Sequence, residues 1–248
     1  MPPSPRPSCR SDHSCQPPHD VSYYRTVSDY HCGSVYHVTE QHSTLRAQRR
    51  AETQRTIQGH AVRLFTERGF DATTVTDVAE AAGVSPMTVY RHFPTKEDLV
   101  LVDQHGRLVA ERIAASSAAQ PLVRRIGNAL IDSATTLTDG RHGADLTANG
   151  QFLLARLRLM ISTPALRAKH LDNHYALQQA IVEALADDAT DPETAFRTQA
   201  AASACLAAMH TAVMRWAEDD GRTELPELIA KALAAAFGDH IVGTGPDA

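Results

Sequence analysis

The stretch GVSPMTVYRHFPTKEDL, residues 83–99, contains the start and stop signals of one short helix. Ser85 is a residue type that caps helix N-termini, because its hydroxyl accepts a hydrogen bond from a backbone N–H that lacks a helical partner. Pro94 ends the helix, since proline has no N–H and its ring clashes with the preceding turn. Val89 and Phe93 are four residues apart, so they lie on one face, which is predicted to be buried.

A second predicted helix comes immediately before this one. Thr74 and Asp77 have the spacing of a capping box, and apolar residues recur at helical intervals after them. Gly83 and Val84 then form a short turn into the helix capped by Ser85. Two helices joined in this way are typical of a helix-turn-helix, whose second helix enters the major groove of DNA.

The exposed side chains of the second helix are therefore predicted to contact DNA. They are Pro86, Met87, Thr88, Tyr90, Arg91 and His92. Thr88 and Arg91 are the candidates for base contacts, and Arg91 is favoured at guanine because a guanidinium group can pair with it bidentately. The alternative is that the tyrosine and the histidine are packing residues and that Arg91 is simply solvated.

Helical signals continue along the chain, and the sequence predicts an all-α protein. Alanine-rich runs, 5% aromatic residues and 13 glycines favour helices over a sandwich or a barrel. The first helix is predicted to end at Arg68, before Gly69, and Thr95 with Asp98 is predicted to cap a fourth. Later helices, separated by proline or glycine, are predicted over residues 96–118, 121–138, 149–162, 165–187, 192–219 and 224–237.

Positive charge is concentrated near the predicted DNA-binding helices. The net charge is −5, yet residues 46–68 contain six arginines against two glutamates. A basic arm on an acidic body suits a protein that binds a polyanion at one end. Four of these arginines either reach the minor groove and the phosphates or form a solvated helix face, and both alternatives stay open. They are Arg46, Arg49, Arg50 and Arg55.

The first 44 residues contain Pro, Ser, His and Tyr without apolar periodicity, so they are predicted to be a disordered extension. Because Met87 is the next methionine after Met1, a misassigned start is an alternative, with Val35 or Val38 marking the true beginning. Three cysteines and several histidines in this segment lack paired metal-ligand spacing, so no metal site is predicted. The domains are then expected at 45–94 for DNA binding and 95–240 for the helical body, followed by a tail at 241–248.

The sequence contains no run of 18 apolar residues and no basic start followed by an apolar segment. Neither a membrane span nor a secretion signal is therefore expected. The four cysteines do not form a disulfide framework, so a reducing, cytoplasmic location is the expectation.

The stretch AVRLFTERGFDATTVTDVAEAAGVSPMTVYRHFPTKEDLV, residues 61–100, resembles the TetR/AcrR family of one-component transcriptional regulators. The turn glycine, the cap, the aromatic positions and Lys96 recur there in order. The resemblance implies phosphate contacts from Tyr90 and His92, and from Lys96 at the start of a fourth helix, where the helix dipole assists. It also implies that Thr76 anchors a further phosphate.

One residue departs from the pattern of that family. Relatives that begin this helix with Ser-Pro often have arginine at the position of Met87, so a guanine contact is lost here. A contact with a thymine methyl group is the expected replacement.

The resemblance implies a ligand pocket in the helices after residue 100. RLRLMISTPALRAK, residues 156–169, and the pair Arg215 with Trp216 resemble the acyl-CoA-type C-terminal domain of one TetR branch. An anionic group of the ligand is expected to meet Arg156 or Arg158, with ordinary core and surface roles as the alternative. The other candidate lining residues are Phe152, Met160, Tyr175, Met209 and Trp216.

The resemblance also implies a homodimer. Residues 192–219 and 224–237 present extended alanine and leucine faces, and small residues allow two helices to approach closely. An antiparallel four-helix contact between two copies is therefore expected, with packing inside one chain as the alternative. The residues of these faces include Ala200, Ala204, Leu206, Ala208, Leu233 and Ala234.

The predicted function is a ligand-responsive repressor. A dimer binds a palindromic DNA operator, and a small hydrophobic effector tilts the fourth helix so that the recognition helices leave their grooves. A metal-sensing binder is an alternative, because His170 and His174 have the i, i+4 spacing of metal ligands, although no third ligand is near in sequence. An enzyme is disfavoured, since no catalytic motif is present, and no catalytic residue or cofactor is predicted.

Overall fold

The computed structural model describes the backbone of residues 25–101, 105–138, 141–142, 145–188 and 191–238. Side chains are described for residues 45–101, 106–138, 146–187 and 191–238. The α-helices of these ranges are α1 (Arg25–Arg68), α2 (Val75–Ala81), α3 (Pro86–His92), α4 (His105–Ala115), α5 (Leu122–Thr138), α6 (Ala148–Ser162), α7 (Pro164–Ala184), α8 (Pro192–Glu218) and α9 (Leu225–Phe237). Short 3-10 turns lie at Glu97–Leu99 and Ala186–Asp188.

The predicted all-α class is confirmed. One small exception is an antiparallel pair of two-residue strands, β1 (Arg141–His142) and β2 (Asp145–Leu146), with Arg141 paired to Leu146. Two residues are too few to produce a periodic pattern, so the sequence carried no signal for this pair.

The chain separates into two compact units, Met1–Glu52 and Thr53–Ala248. In the first unit α1 begins at Arg25, so residues 25–44, which were predicted to be disordered, are helical. No proline interrupts the chain between residues 19 and 85, which explains why a helix without an apolar stripe can continue there. Residues 1–24, the tail 241–248 and the question of the true start lie outside the described residues, and the domain boundaries stay predictions.

In the second unit, the end of α1 packs with α2 and α3 around a small apolar core. Ile57, Phe65, Val78, Val89 and Phe93 are all at most 1% exposed. Val89 and Phe93 are therefore the buried face of α3, as their spacing predicted.

The predicted fourth helix differs from the structure. Thr95 and Asp98 do form the expected cap, with the Thr95 N–H donating to Asp98 Oδ2 at 2.9 Å. The turn is a 3-10 helix that ends at Leu99, and α4 begins only at His105. Leu99, Val100 and Leu101 are all buried. Three consecutive buried side chains do not fit on a helix with one apolar face, so the chain is irregular here.

The body is a helical bundle in which α8 packs on α9, α4 on α7 and α5 on α9. Trp216, Leu206 and Leu233 are fully buried at its centre. Among the described helices, none has both the length and the apolar character needed to cross a membrane.

Candidate DNA-binding surface and effector cavity

Helix α3 is held at both ends by its own sequence. The Ser85 hydroxyl accepts a hydrogen bond from the Thr88 N–H at 3.1 Å, and Pro86 occupies the first turn. At the other end the Phe93 N–H donates to the Val89 carbonyl at 2.8 Å. Val89 and Phe93 are also buried in the core. The position of α3 is therefore fixed, with its outer side facing solvent.

The outer side of α3 carries most of the predicted DNA-contacting residues. Met87 is 75% exposed and Tyr90 is 50% exposed. Pro86 and Arg91 are exposed as well, and Thr76 is exposed in the first turn of α2. The structure therefore leaves these five side chains accessible to a macromolecular partner.

Two predicted residues of α3 are less accessible. Thr88 is half-buried, and its hydroxyl lies 2.9 Å from the Ser85 hydroxyl, so the capping interaction already uses it. His92 is half-buried, with its ring centroid 6.3 Å from that of Phe93.

Lys96 differs most from its expected position. Its ammonium group donates to the Phe70 carbonyl and lies 4.3 Å from the centroid of the Phe70 ring. The side chain is half-buried against the loop that follows α1, and the helical turn that begins after Lys96 is the short 3-10 turn Glu97–Leu99, not an α-helix. The carbonyl and the ring together attract the cation, which is why the side chain turns toward the protein.

A cavity of about 140 Å³ lies in the helical body. Its lining is mostly apolar, and its polar residues are Arg156, His170, Asn173 and His174. Of the six predicted ligand-binding residues, Arg156 and Met209 line this cavity. The apolar lining consists of Leu101, Ala134, Leu153, Leu157, Leu177, Met209, Val213, Leu225 and Ile229.

The other four predicted residues do not line this cavity. Met160 is buried in the core, and Tyr175 is 62% exposed. Trp216 is fully buried and borders a second, smaller cavity of about 100 Å³. Phe152 is half-buried, with its ring centroid 5.7 Å from the guanidinium carbon of Arg156. Tyr175 follows His174 directly on α7, and one residue rotates a side chain by about 100°, away from the cavity.

The two arginines proposed to meet an anion have different environments. Arg158 is exposed and forms an ion pair with Asp220. Arg156 donates from Nε to the Val100 carbonyl and faces the cavity. Among the described residues, no carboxylate forms an ion pair with Arg156. Burial lowers the pKa of Arg156 to about 10, so it is still a cation at neutral pH.

Three imidazoles meet beside the cavity. His170 Nε2 lies 3.2 Å from His210 Nδ1, and the ring of His174 lies 6.2 Å from each of the other two rings, centroid to centroid. Burial, followed by the charges of His210 and His174, lowers the pKa of His170 to about 4. Burial and His210 also lower the pKa of His174. At neutral pH His170 is therefore uncharged.

The third histidine was not found from the sequence, because His210 lies 40 residues after His170 and comes from α8. Within the described part of the chain, no group of three or more His, Cys, Asp or Glu side chains has an arrangement that could hold a metal ion. The cysteines and histidines of the first 44 residues lie outside the described side chains.

The segment 98–101, which we call the connector, links the DNA-binding helices to the cavity. Asp98 forms an ion pair with Lys169 of α7 at 2.9 Å. The Val100 carbonyl accepts from Arg156, and the Leu101 carbonyl accepts from Asn173 at 2.7 Å. Two of the three side chains that hold the connector therefore also line the cavity. Sequence reasoning missed Asn173 and Lys169, since their partners lie about 70 residues away in the chain.

Hydrogen bonding keeps Asp98 ionised in this position. Burial opposes ionisation of the carboxyl group, but hydrogen bonds from Lys169 and Thr95 outweigh it, and the pKa of Asp98 lies below its ordinary value. The carboxylate thus serves as both the cap of the 3-10 turn and the partner of α7.

Comparison with known proteins agrees with this geometry. Residues 59–102 match the family model described as bacterial regulatory proteins, tetR family, and residues 146–237 match the MftR C-terminal domain. One relative is a Mycobacterium tuberculosis protein named as a mycofactocin biosynthesis transcriptional regulator, MftR. The two sequences are 26% identical over 212 residues, which are 83% of this chain and 97% of that protein.

Two further relatives agree. The HTH-type transcriptional repressor KstR2 of Rhodococcus jostii is 52% identical over 40 residues, which are 16% of this chain and 20% of KstR2. The structure of the fatty acid degradation regulator FadR from Bacillus halodurans has the same fold, with a TM-score of 0.51 and 19% identity over 77% of this chain and 95% of that chain. The two family matches and the exposed, capped α3 lead to one conclusion: the chain belongs to the TetR family of bacterial regulatory proteins and is a DNA-binding transcriptional regulator.

Proposed function

We propose that the chain is a dimeric repressor that binds a palindromic operator through α3 of each copy and leaves it when a small effector occupies the cavity. The observation that carries this proposal is the connector, because Arg156 and Asn173 both line the cavity and hold the segment that follows the DNA-binding helices. KstR2, a relative over part of the chain, is named a repressor. The proposed site of action is the nucleoid, in the cytoplasm.

In the proposed complex Arg91 bonds to a base edge, and Met87 contacts a thymine methyl group. Tyr90 and Thr76 bond to phosphates, and Pro86 packs against the groove wall. Their exposure supports these roles. Thr88 contributes a base contact through its own hydroxyl, which is also hydrogen-bonded to the Ser85 hydroxyl.

The other two residues have different roles in the proposal. His92 bonds to a phosphate from the end of α3, while Lys96 acts by holding the loop after α1 and does not contact phosphate directly. The bond from Lys96 to the Phe70 carbonyl supports this revised role.

The proposed dimer forms through an exposed stripe of α8. Leu206, Leu233 and Ala208 are buried in the core of their own chain, so they do not supply the contact surface. Small exposed residues remain on α8 at helical spacing, next to Phe196, which is 68% exposed. They are Ala200, Ser203, Ala204, Ala207 and Thr211. Such a stripe permits close approach of α8 from a second copy, which would place two α3 helices on one face of DNA.

The proposed effector is a small, largely apolar molecule, since nine of the thirteen lining residues are apolar. An acyl group is the favoured body, and the name of the FadR relative, a fatty acid degradation regulator, agrees with this choice. Effector and DNA binding oppose each other, so each lowers the affinity of the other by the same factor.

Selection of DNA fragments from a random pool by the full-length chain tests the proposal. We expect recovery of a palindrome whose half-sites are about one helical turn apart, about 34 Å. A reporter fused to the recovered site should be repressed by the chain. Recovery of no common sequence, or of a single unpaired half-site, would contradict the dimeric operator complex.

A further inference from the structure

Arg156 is a half-buried cation that lacks a described counterion. It lines the cavity, and burial of its half-buried side chain removes part of the water from the guanidinium group. Its described hydrogen bond uses Nε, and the two terminal nitrogens have no hydrogen-bond partner among the described residues. A partly desolvated charge gains more from an opposite charge than a fully solvated one, so this site favours an anion.

The rest of the cavity lining would accept an anion. It contains no Asp or Glu, so no described carboxylate of the lining repels a negative group. Asn173 offers an amide, and His170 and His174 offer imidazoles. From α5, α8 and α9 the lining is apolar: Ala134, Met209, Val213, Leu225 and Ile229.

The position of Arg156 also links such an anion to the connector. The guanidinium group has five N–H donors in a planar fork, and one of them holds the Val100 carbonyl. An anion bound by the terminal nitrogens draws the same planar group toward the cavity. The bond to Val100 is then strained or broken, and the connector loses one of its three attachments.

We propose that the effector carries one anionic group on an apolar body, and that this group binds the terminal nitrogens of Arg156 and thereby loosens the connector at Val100. This inference rests on the proposed function, because it concerns the effector of the same cavity. It selects Arg156 over Arg158, whose charge is already paired with Asp220 at the surface.

Three eight-carbon probes test the proposal on the full-length chain: octanoate, octyl phosphate and octan-1-ol. Binding is measured by calorimetry and by the shift in Tm, and release is measured on DNA selected by the chain. The variants are Arg156→Gln, which removes the charge, and Arg156→Lys, which keeps the charge but lacks the fork. Arg158→Gln is the matched control, because it removes an arginine of the same helix at the surface.

We expect at least one of the two anions to bind and to release DNA, and octan-1-ol to bind at least about tenfold more weakly, as expected for loss of one charge-assisted hydrogen bond. The stronger of the two anions identifies a carboxylate or a phosphate as the recognised group. Arg156→Gln should lose about tenfold or more in anion affinity, whereas Arg158→Gln should match the parent chain. Arg156→Lys should bind the anion and fail to couple it to DNA release.

Equal binding of octanol and octanoate overturns the proposal, as does unchanged anion affinity in Arg156→Gln. Failure of both anions to bind at millimolar concentration overturns it as well. If circular dichroism shows that Arg156→Gln is unfolded, Arg156→Lys is the deciding variant. Release of DNA by the anion in Arg156→Lys, as in the parent chain, would contradict the mechanism. A chain that binds the anions through Arg156 but selects no DNA would contradict the proposed function and leave the anion site intact.

Discussion

Substitution of Arg91 tests whether this one side chain recognises a base of the operator. Arg91→Ala should reduce operator affinity by about 1–3 kcal/mol, roughly 5- to 150-fold, and should change binding to random DNA much less. Fluorescence anisotropy with both DNAs measures the two affinities.

Tyr90→Phe is the comparison for Arg91→Ala, since loss of a phosphate-bonding hydroxyl should weaken binding to both DNAs by a similar factor. If Arg91→Ala lost affinity for operator and random DNA by the same factor, Arg91 would not be the residue that recognises a base.

His170 makes the stability of the fold depend on pH. Its folded pKa of about 4 lies below the ordinary value of 6.5, so between these values the unfolded chain binds more protons. Stability is therefore lost as pH falls from about 6.5 toward 4, by about 1 kcal/mol at pH 5.5. His170→Gln should show a smaller decrease in Tm between pH 7.5 and 5.5 than the parent chain.

The control for this measurement is Leu171→Gln, which introduces the same side chain at an exposed, non-titrating residue next to His170 on α7. It should keep the pH dependence of the parent chain. A His170→Gln variant whose Tm decreases as much as that of the parent chain would rule out His170 as the source.

At the scale of the element, the stability of α3 depends on its cap. Ser85→Ala removes the hydrogen bond to the Thr88 N–H and should cost about 1 kcal/mol, with a decrease in Tm of several degrees. Operator affinity should fall too, because a frayed first turn displaces Met87 and Thr88. Ser85→Thr preserves a capping hydroxyl and should restore both properties. Loss of both properties in Ser85→Thr would point to a role of Ser85 other than capping.

The elements that the sequence predicted correctly have local causes. The caps at Thr74 and Ser85 and the stop at Gly69 act within a few residues, so α2, α3 and the end of α1 could be located in advance. The fourth helix was misplaced because burial of 99–101 depends on α6 and α7, which come much later in the chain.

The same distinction explains the candidate sites. Exposure of Tyr90 and Arg91 follows from the spacing of α3, whereas the partner of Lys96 is a carbonyl 26 residues earlier. Asn173 of the cavity lining becomes relevant only when α7 packs on the connector, and His210 only when α7 and α8 pack together. Their roles have no local sequence signal.

At the scale of the whole molecule, the proposed dimer has a direct test. Ala204→Arg places a long charged side chain on the exposed stripe of α8 and should convert the dimer to a monomer near the chain mass of 26.9 kDa. Light scattering after size exclusion measures the mass. Operator affinity should fall with it, because the two half-sites are then bound independently.

Ala114→Arg is the matched control, since it adds the same side chain at an exposed alanine of α4. It should remain dimeric. A parent chain of monomer mass, or an Ala204→Arg variant that stays dimeric, would place the interface elsewhere or exclude it.

Asp98 has a consequence for attempts to build hybrid sensors from this chain. The segment after Pro94 is bonded in both directions, Lys96 to the Phe70 carbonyl and Asp98 to Lys169, so the DNA-binding helices cannot be separated at Pro94 without losing a contact. A chimaera joined at Pro94 would separate Lys96 from Phe70, whereas one joined after residue 101 would separate Asp98 from Lys169. The junction should therefore lie after residue 101. The second protein must then place a cation next to Asp98, in the position that Lys169 has here.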